Sequence, residues 1–174
     1  LQTLARAGEE MNLMLGKAKT FADEMMERGF PLVESATALA PFDFFADYFR
    51  GSKGIMLDMY RKKDLLLAAM EKAARLIPEP AIATAKRSRC NIVFIPLHWP
   101  GDGLMSPAQF RTFYWPPLRK VIMALIDNGL VPCMLWEGDC TSRLGHIADI
   151  PRGKCIYFFE RTDIFKAKQV LGDV

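Results

Sequence analysis

The chain has 174 residues, enough to bury a hydrophobic core as one domain, and 51% of them are hydrophobic. Its net charge of +3 is too small to indicate a nucleic-acid partner. No apolar run reaches the roughly 20 residues of a membrane-spanning helix, and no signal peptide is visible. We therefore expect neither nucleic acid nor membrane as a partner. The cysteines show neither disulfide nor CxxC spacing, which favours a reducing, cytoplasmic setting; they are Cys90, Cys133, Cys140 and Cys155.

The hydrophobic pattern predicts helices that alternate with short strands. Gly29 ends a first amphipathic helix, residues 51–54 form a predicted turn, and Asp43 is a candidate cap of the helix before that turn. Pro78 and Pro80 break the chain ahead of a short helix. The predicted helices span residues 1–28, 43–50, 56–76 with a break near 61–63, 81–88, 141–148 and 162–171, and the predicted strands span residues 30–35, 91–97, 130–136 and 154–160.

The most informative segment begins just after the second predicted strand, at Gly101-Asp102-Gly103. Ser-Pro at residues 106–107 supplies an N-cap and a first-turn proline, and Gln109 stands where a capping box needs it. Two prolines at residues 116–117 interrupt the helix, and Asn-Gly at residues 128–129 ends it. The segment therefore predicts a strand, a loop and a capped helix in succession.

The order of the predicted elements indicates the fold class. Strands alternate with helices, and the strands are apolar throughout, as expected when both faces of a sheet are covered. The pattern therefore predicts an α/β fold with a parallel sheet and right-handed crossovers. Because no repeat or low-complexity linker divides the sequence, we expect residues 1–174 to form one domain.

Several sequence motifs occur in the order found in a known family. Phe30-Pro31-Leu32-Val33 and Asp47-Tyr48-Phe49-Arg50-Gly51 precede Gly103-Leu104-Met105-Ser106-Pro107-Ala108-Gln109-Phe110, and Ala167-Lys168-Gln169-Val170-Leu171-Gly172-Asp173 follows. Together they resemble the uroporphyrinogen decarboxylase superfamily, which includes methyltransferases that exchange methyl groups with corrinoid proteins. The resemblance implies a (β/α)8 TIM barrel. Because a complete barrel needs roughly 250 residues, we expect residues 1–174 to be its central portion, with about four parallel strands and truncated at both ends.

Glu137, Asp139 and Cys140 follow the third predicted strand, at the mouth of the expected barrel. Each can bind a metal ion once it is deprotonated. The resemblance implies a zinc-binding His-x-Cys-Gly element at this point, but alignment on Gly138 places Leu135 at the His position and Glu137 at the Cys position. A zinc site with mixed oxygen and sulfur ligands stays open. In the alternative, Glu137 and Asp139 cap the next helix and Cys140 packs as a small apolar group.

Other candidate site residues follow strands or lie in the segments that resemble the family. His98 follows the second predicted strand and, with Glu137, is the candidate catalytic acid or metal ligand; the alternative is a loop histidine hydrogen-bonded to the backbone. The resemblance implies that Tyr48 contacts a substrate carboxylate, whereas its aromatic neighbours favour a packing role. The remaining candidate substrate-binding residues are Trp99, Asp102, Trp136 and Glu160.

Three functions stay open for the full-length protein. We expect first a methyltransferase that moves a methyl group from a small methylated substrate to a corrinoid on a partner protein, with zinc as a candidate cofactor. The alternative is a uroporphyrinogen decarboxylase of porphyrin biosynthesis, which uses no cofactor; the serine that the family carries after the second strand has no counterpart in residues 98–101. The third is a non-catalytic barrel. The fragment alone is expected to be inactive and to associate with a second copy through exposed sheet edges.

Overall fold

The computed structural model describes residues 1–172, so Asp173 of the last motif and Val174 lie outside the described residues. The chain divides into two compact units, residues 1–33 and the chain from residue 34 onward. The first unit contains one long amphipathic helix, α1, Gln2–Glu27, none of whose residues is buried. Gly29 ends this helix with a φ of 89°, as predicted. The expectation that residues 1–174 form one domain stays a prediction.

A parallel sheet forms the centre of the second unit. Its order is β1-β2-β3-β4 in the described part of the chain, and every neighbouring pair is parallel. This arrangement confirms the predicted α/β class and is that of a partial (β/α) barrel. The strands are β1, Ala36–Thr37; β2, Ile92–Leu97; β3, Val131–Trp136; and β4, Ile156–Phe159.

The first strand is displaced from its predicted position, so the prediction of a strand over residues 30–35 was wrong. The amide of Phe30 donates to the Met25 carbonyl and closes the end of α1 instead of pairing with a strand. Val33 is 84% exposed, so this apolar run gains no burial. Pairing with β2 begins only where the Ser35 amide donates to the Ile92 carbonyl at 2.8 Å.

The helices of the second unit differ from the predicted ones at several places. The helix predicted over residues 81–88 begins at Pro78, so Pro78 and Pro80 lie in its first turn and do not break the chain ahead of it. The helix predicted over residues 141–148 is a 3-10 turn followed by a short α-helix. The helix around Asp43 begins at Pro41, so Asp43 lies inside it and does not cap it. The predicted turn over residues 51–54 was wrong, because Gly51, with a φ of 63°, opens the next helix directly. The helices are α2, Pro41–Phe45; α3, Gly51–Arg61; α4, Lys63–Leu76; α5, Pro78–Ala85; α6, Pro107–Gln109; α7, Trp115–Asp127; α8, Leu144–Ile147; and α9, Ile164–Leu171.

Two π-helical segments interrupt these helices, one over Ala46–Arg50 and one over Phe110–Tyr114. The capping box is confirmed: the Ser106 side chain accepts from the Gln109 amide, and the Gln109 side chain accepts from the Ser106 amide. Within residues 1–172, no helix is both long enough and apolar enough to cross a membrane.

The two faces of the sheet have different surroundings. Alternate strand residues, among them Leu97 and Trp136, are fully buried in the core that the strands share with α7. The other face is partly exposed in the described residues, and Phe158 on it is 55% exposed. Leu97 pairs with Trp136, and Trp136 pairs with Phe159. The residues that follow these strand ends therefore lie side by side at the carboxyl edge of the sheet.

Candidate functional site

Polar residues meet where three parallel strands end. His98 follows β2, Glu137 follows β3 and Glu160 follows β4, and the strand register places them side by side at the carboxyl edge of the sheet. His98 Nε2 lies 3.7 Å from Glu137 Oε1. Glu160 Oε2 accepts a 2.6 Å hydrogen bond from the Gly138 amide, where the chain turns with a φ of 75°. The carboxyl ends of barrel strands are where such folds place their chemistry.

His98 is held between carboxylates. Its Nδ1 lies 2.7 Å from Asp47 Oδ2, so the imidazole is anchored on one side and faces Glu137 on the other. Burial opposes the charged form of the ring. The hydrogen bond to Asp47 and the negative charges of Asp43 and Glu137 outweigh that effect and raise the pKa of His98 above its usual value. The imidazolium is therefore a proton donor whose charged form is stabilised at this site.

Asp47 comes from a π-helical segment, and its two oxygens hold two adjacent residues. Oδ2 binds the His98 ring, and Oδ1 accepts a 2.9 Å hydrogen bond from Trp99 Nε1. The segment Ala46–Arg50 is wider than an α-helical turn. Such π-helical turns are rare and occur frequently at functional sites.

Asp43 lies beside this pair but in the interior. Its Oδ2 accepts hydrogen bonds from the His98 amide at 2.8 Å and from the Tyr114 hydroxyl at 2.9 Å, while Oδ1 has no partner. Burial raises the pKa of Asp43 to about 7, although the two hydrogen bonds act in the opposite direction. Tyr114 ends the second π-helical segment, so both π-helical segments contribute to this cluster.

Asp43 is expected to make the free energy of unfolding depend on pH. The folded state holds the proton of Asp43 up to a pKa of about 7, whereas its ordinary value is 3.8. This group therefore stabilises the fold most below that ordinary value, and the contribution is lost as pH rises from there to about 7. Urea denaturation across this interval measures the effect. Asp43→Asn should flatten the slope, and a variant that keeps the wild-type slope would contradict the assignment.

A second polar group ties two loops together near the site. Asp102 Oδ1 accepts from the Ser142 hydroxyl at 2.7 Å and lies 3.2 Å from Arg143 Nε. The Arg143 side chain is fully buried and donates to the carbonyls of Pro100 and Met105. The Asp102 carboxylate therefore joins the loop after β2 to the loop after β3, and its predicted role in substrate binding stays a prediction.

A comparison with known families agrees with the resemblance carried by the sequence motifs. Residues 4–174 match the uroporphyrinogen decarboxylase (URO-D) family. The chain belongs to the URO-D family. No curated protein and no solved structure matches it. The membership confirms the resemblance seen in the sequence motifs, and it does not distinguish a methyltransferase from a decarboxylase.

The three predicted metal ligands, Glu137, Asp139 and Cys140, each contact other groups of the protein. Burial raises the pKa of the Cys140 thiol to about 12, and its Sγ lies 3.8 Å from the Glu137 carbonyl. Asp139 Oδ1 accepts from both the amide and the hydroxyl of Thr141, which holds the turn into the next helix. No three His, Cys, Asp or Glu side chains among residues 1–172 are arranged to hold a metal ion. A zinc cofactor stays a prediction.

The remaining predicted site residues lie in different surroundings. Trp99 is joined to His98 through Asp47. Trp136 is fully buried between Trp115 and Phe159, in the core. Tyr48 is 66% exposed, with its ring 5.9 Å from that of Phe44. Of the predicted residues, the structure therefore brings together His98, Glu137, Trp99 and Glu160.

Proposed function

We propose that the full-length protein is a URO-D family methyltransferase that moves a methyl group from a small methylated substrate to a corrinoid on a partner protein. The observation that supports it best is the imidazole of His98, held by Asp47 at 2.7 Å and facing Glu137 at 3.7 Å. This arrangement favours a proton donor at the barrel mouth. Reduced cobalt, which such a partner supplies as the nucleophile, requires reducing surroundings, in agreement with the predicted cytoplasmic location.

The geometry suits protonation of a leaving group. When the bond between the methyl carbon and its oxygen, nitrogen or sulfur breaks, the methyl group passes to the acceptor and the heteroatom keeps the bonding pair. That atom leaves easily only if it receives a proton. His98 Nδ1 is occupied by Asp47, whereas Nε2 is 3.7 Å from Glu137, beyond a hydrogen bond. The Nε2 proton is therefore free for the substrate, and solvent restores it afterwards.

The charges around His98 argue against uroporphyrinogen as the substrate. Asp47, Glu137 and Glu160 surround the strand ends, and uroporphyrinogen is a polycarboxylate that such charges repel. Arg143 is the nearby buried cation, and it is engaged by Asp102 and two carbonyls. Decarboxylation of uroporphyrinogen stays the second candidate because the chain belongs to the family of that name.

Incubation with reduced cobalamin tests the proposal. The full-length protein is incubated without oxygen with cob(I)alamin and one of three methyl donors whose heteroatom can accept a proton: guaiacol, trimethylamine or dimethyl sulfide. We expect methylcobalamin, seen by its absorption spectrum, with at least one donor. Decarboxylation of uroporphyrinogen without methyl transfer would establish the second candidate instead. Inactivity in both assays would favour a non-catalytic member of the family.

Glu137→Gln is expected to shift the pH dependence of methyl transfer. The charge of Glu137 contributes to the raised pKa of His98, so its removal lowers that pKa. Because the acid must be protonated, the rate falls as pH rises through the pKa of His98, and the fall should begin at lower pH in the variant. A pH–rate profile measures this. Glu79→Gln, on the exposed side of α5, removes the same charge elsewhere and should leave the profile unchanged; identical profiles for wild type and Glu137→Gln would contradict the role of Glu137.

A further inference from the structure

Asp43 and Tyr114 form a buried pair next to His98 that the proposed proton transfer does not use. We infer that Asp43 and Tyr114 are positioning residues that hold His98 in the orientation proton donation requires. This inference rests on the proposed function, in which His98 is the acid. Neither side chain reaches the exposed face of the sheet, since both are fully buried.

One carboxylate oxygen connects three separate elements. Asp43 Oδ2 accepts hydrogen bonds from the His98 amide at 2.8 Å and from the Tyr114 hydroxyl at 2.9 Å. Asp43 belongs to α2, His98 follows β2, and Tyr114 ends the π-helical segment Phe110–Tyr114. The main chain at residue 98 is therefore fixed relative to two helical segments at once.

The two aspartates of this helical stretch act on different parts of His98. Asp43 binds its main-chain amide, and Asp47, four residues later, binds its imidazole Nδ1. With both bonds present, the main chain and the ring are fixed together. Without Asp43, only the ring would be held, and the main chain that carries it could move. A misplacement of about 1 Å can cost about 10²-fold in rate.

Stability alone does not account for a polar pair at this place. The Tyr114 ring lies 5.7 Å from the Phe42 ring and 5.6 Å from the Phe110 ring, so the hydroxyl stands within an aromatic cluster. Desolvating a carboxyl group and a hydroxyl is costly, and Asp43 Oδ1 has no partner to offset it. Apolar side chains of similar size would fill the same volume at lower cost. Apolar residues could not accept the hydrogen bond from the His98 amide, and this bond distinguishes Asp43 from an apolar side chain.

Tyr114→Phe isolates the hydroxyl, because it keeps the ring and its aromatic contacts. In the full-length protein, kcat for methyl transfer from the most active of the three donors should fall by roughly tenfold or more, since geometry at the acid is relaxed. KM should be unchanged because Tyr114 does not reach the open face. Tyr157→Phe is the matched control: it also loses a hydroxyl hydrogen bond, to the Ile147 carbonyl at 2.7 Å, and should leave kcat unchanged.

A second measurement does not depend on activity. The ¹⁵N signals of the His98 amide and imidazole are assigned as those that disappear from the spectrum of His98→Gln. Their chemical shifts should change in Tyr114→Phe and stay unchanged in Tyr157→Phe. Asp43→Asn keeps an acceptor oxygen for both hydrogen bonds and should retain most of the activity, whereas Asp43→Leu loses both bonds and should lose about 10²-fold.

The outcomes separate the two proposals. Unchanged His98 shifts in Tyr114→Phe, or an unchanged kcat beside shifted signals, would each overturn the positioning role. If the wild-type protein transfers no methyl group, the proposed function fails, and the shifts alone decide whether the pair orients His98. The inference is supported if Tyr114→Phe lowers kcat without changing KM and also moves the His98 chemical shifts, while Tyr157→Phe does neither.

Discussion

His98→Gln is expected to lower the rate of methyl transfer by at least ~10²-fold, the scale of a positioned acid. Glutamine is uncharged and has no acidic proton, yet its amide can still donate a hydrogen bond to Asp47, whose Oδ2 lies 2.7 Å from the wild-type Nδ1. The variant therefore removes proton donation while it keeps the main-chain bond from residue 98 to Asp43. The fold should be unaffected, and thermal unfolding checks this.

The second histidine of the chain gives the matched control. His146 Nε2 lies 3.4 Å from Arg111 Nη1, and its ring packs against Phe110. His146→Gln should leave the rate of methyl transfer near that of wild type. A His98→Gln protein that transfers methyl groups as fast as wild type would remove His98 from the mechanism, whatever the behaviour of the control.

The central strands could be predicted because their apolar runs are short, bounded by turn residues and separated by amphipathic helices. The predicted strand over residues 130–136 differs from β3, Val131–Trp136, by one residue. The first strand could not be placed in the same way. Its apolar residues at 30–33 resemble a strand in composition, but Phe30 completes the end of α1 and Val33 stays exposed. Pairing with β2 decides the position, and the pairing partner is distant in sequence.

The site was predictable only where it depends on strand ends. His98 and Glu137 were found because each directly follows a strand, and the carboxyl ends of parallel strands meet at one edge. Asp43 and Asp47 were missed as site residues, and Asp43 was interpreted as a helix cap. The signal available for them was two aspartates spaced four apart in an otherwise aromatic helix. Neither π-helical segment has a local pattern that distinguishes it from an α-helix, so the contact of Tyr114 with Asp43 needed the structure.

Arg143→Met is expected to lower the free energy of unfolding by about 2 kcal/mol or more, because it leaves buried acceptors unpaired. The Arg143 side chain is fully buried, donates to the carbonyls of Pro100 and Met105, and stacks on Phe110 with its Cζ 5.1 Å from the ring centroid. Methionine replaces much of the volume but offers no donor. Arg143 Nη1 has no partner, so its removal offsets part of the loss. Asp102 remains 32% exposed, and water can solvate its charge.

Arg119→Met is the matched control for that substitution. Arg119 pairs with Asp149 at 2.7 Å in a partly exposed ion pair, for which the expected loss is about 0–1 kcal/mol. Urea denaturation of both variants compares the two losses directly. If Arg143→Met costs no more than Arg119→Met, the loops after β2 and β3 are not held by Arg143. If Arg143→Met costs more, the bonds of Arg143 hold the loop of residues 100–105, which follows His98 in the chain. The rate of methyl transfer should then also fall in Arg143→Met, because His98 is less firmly positioned.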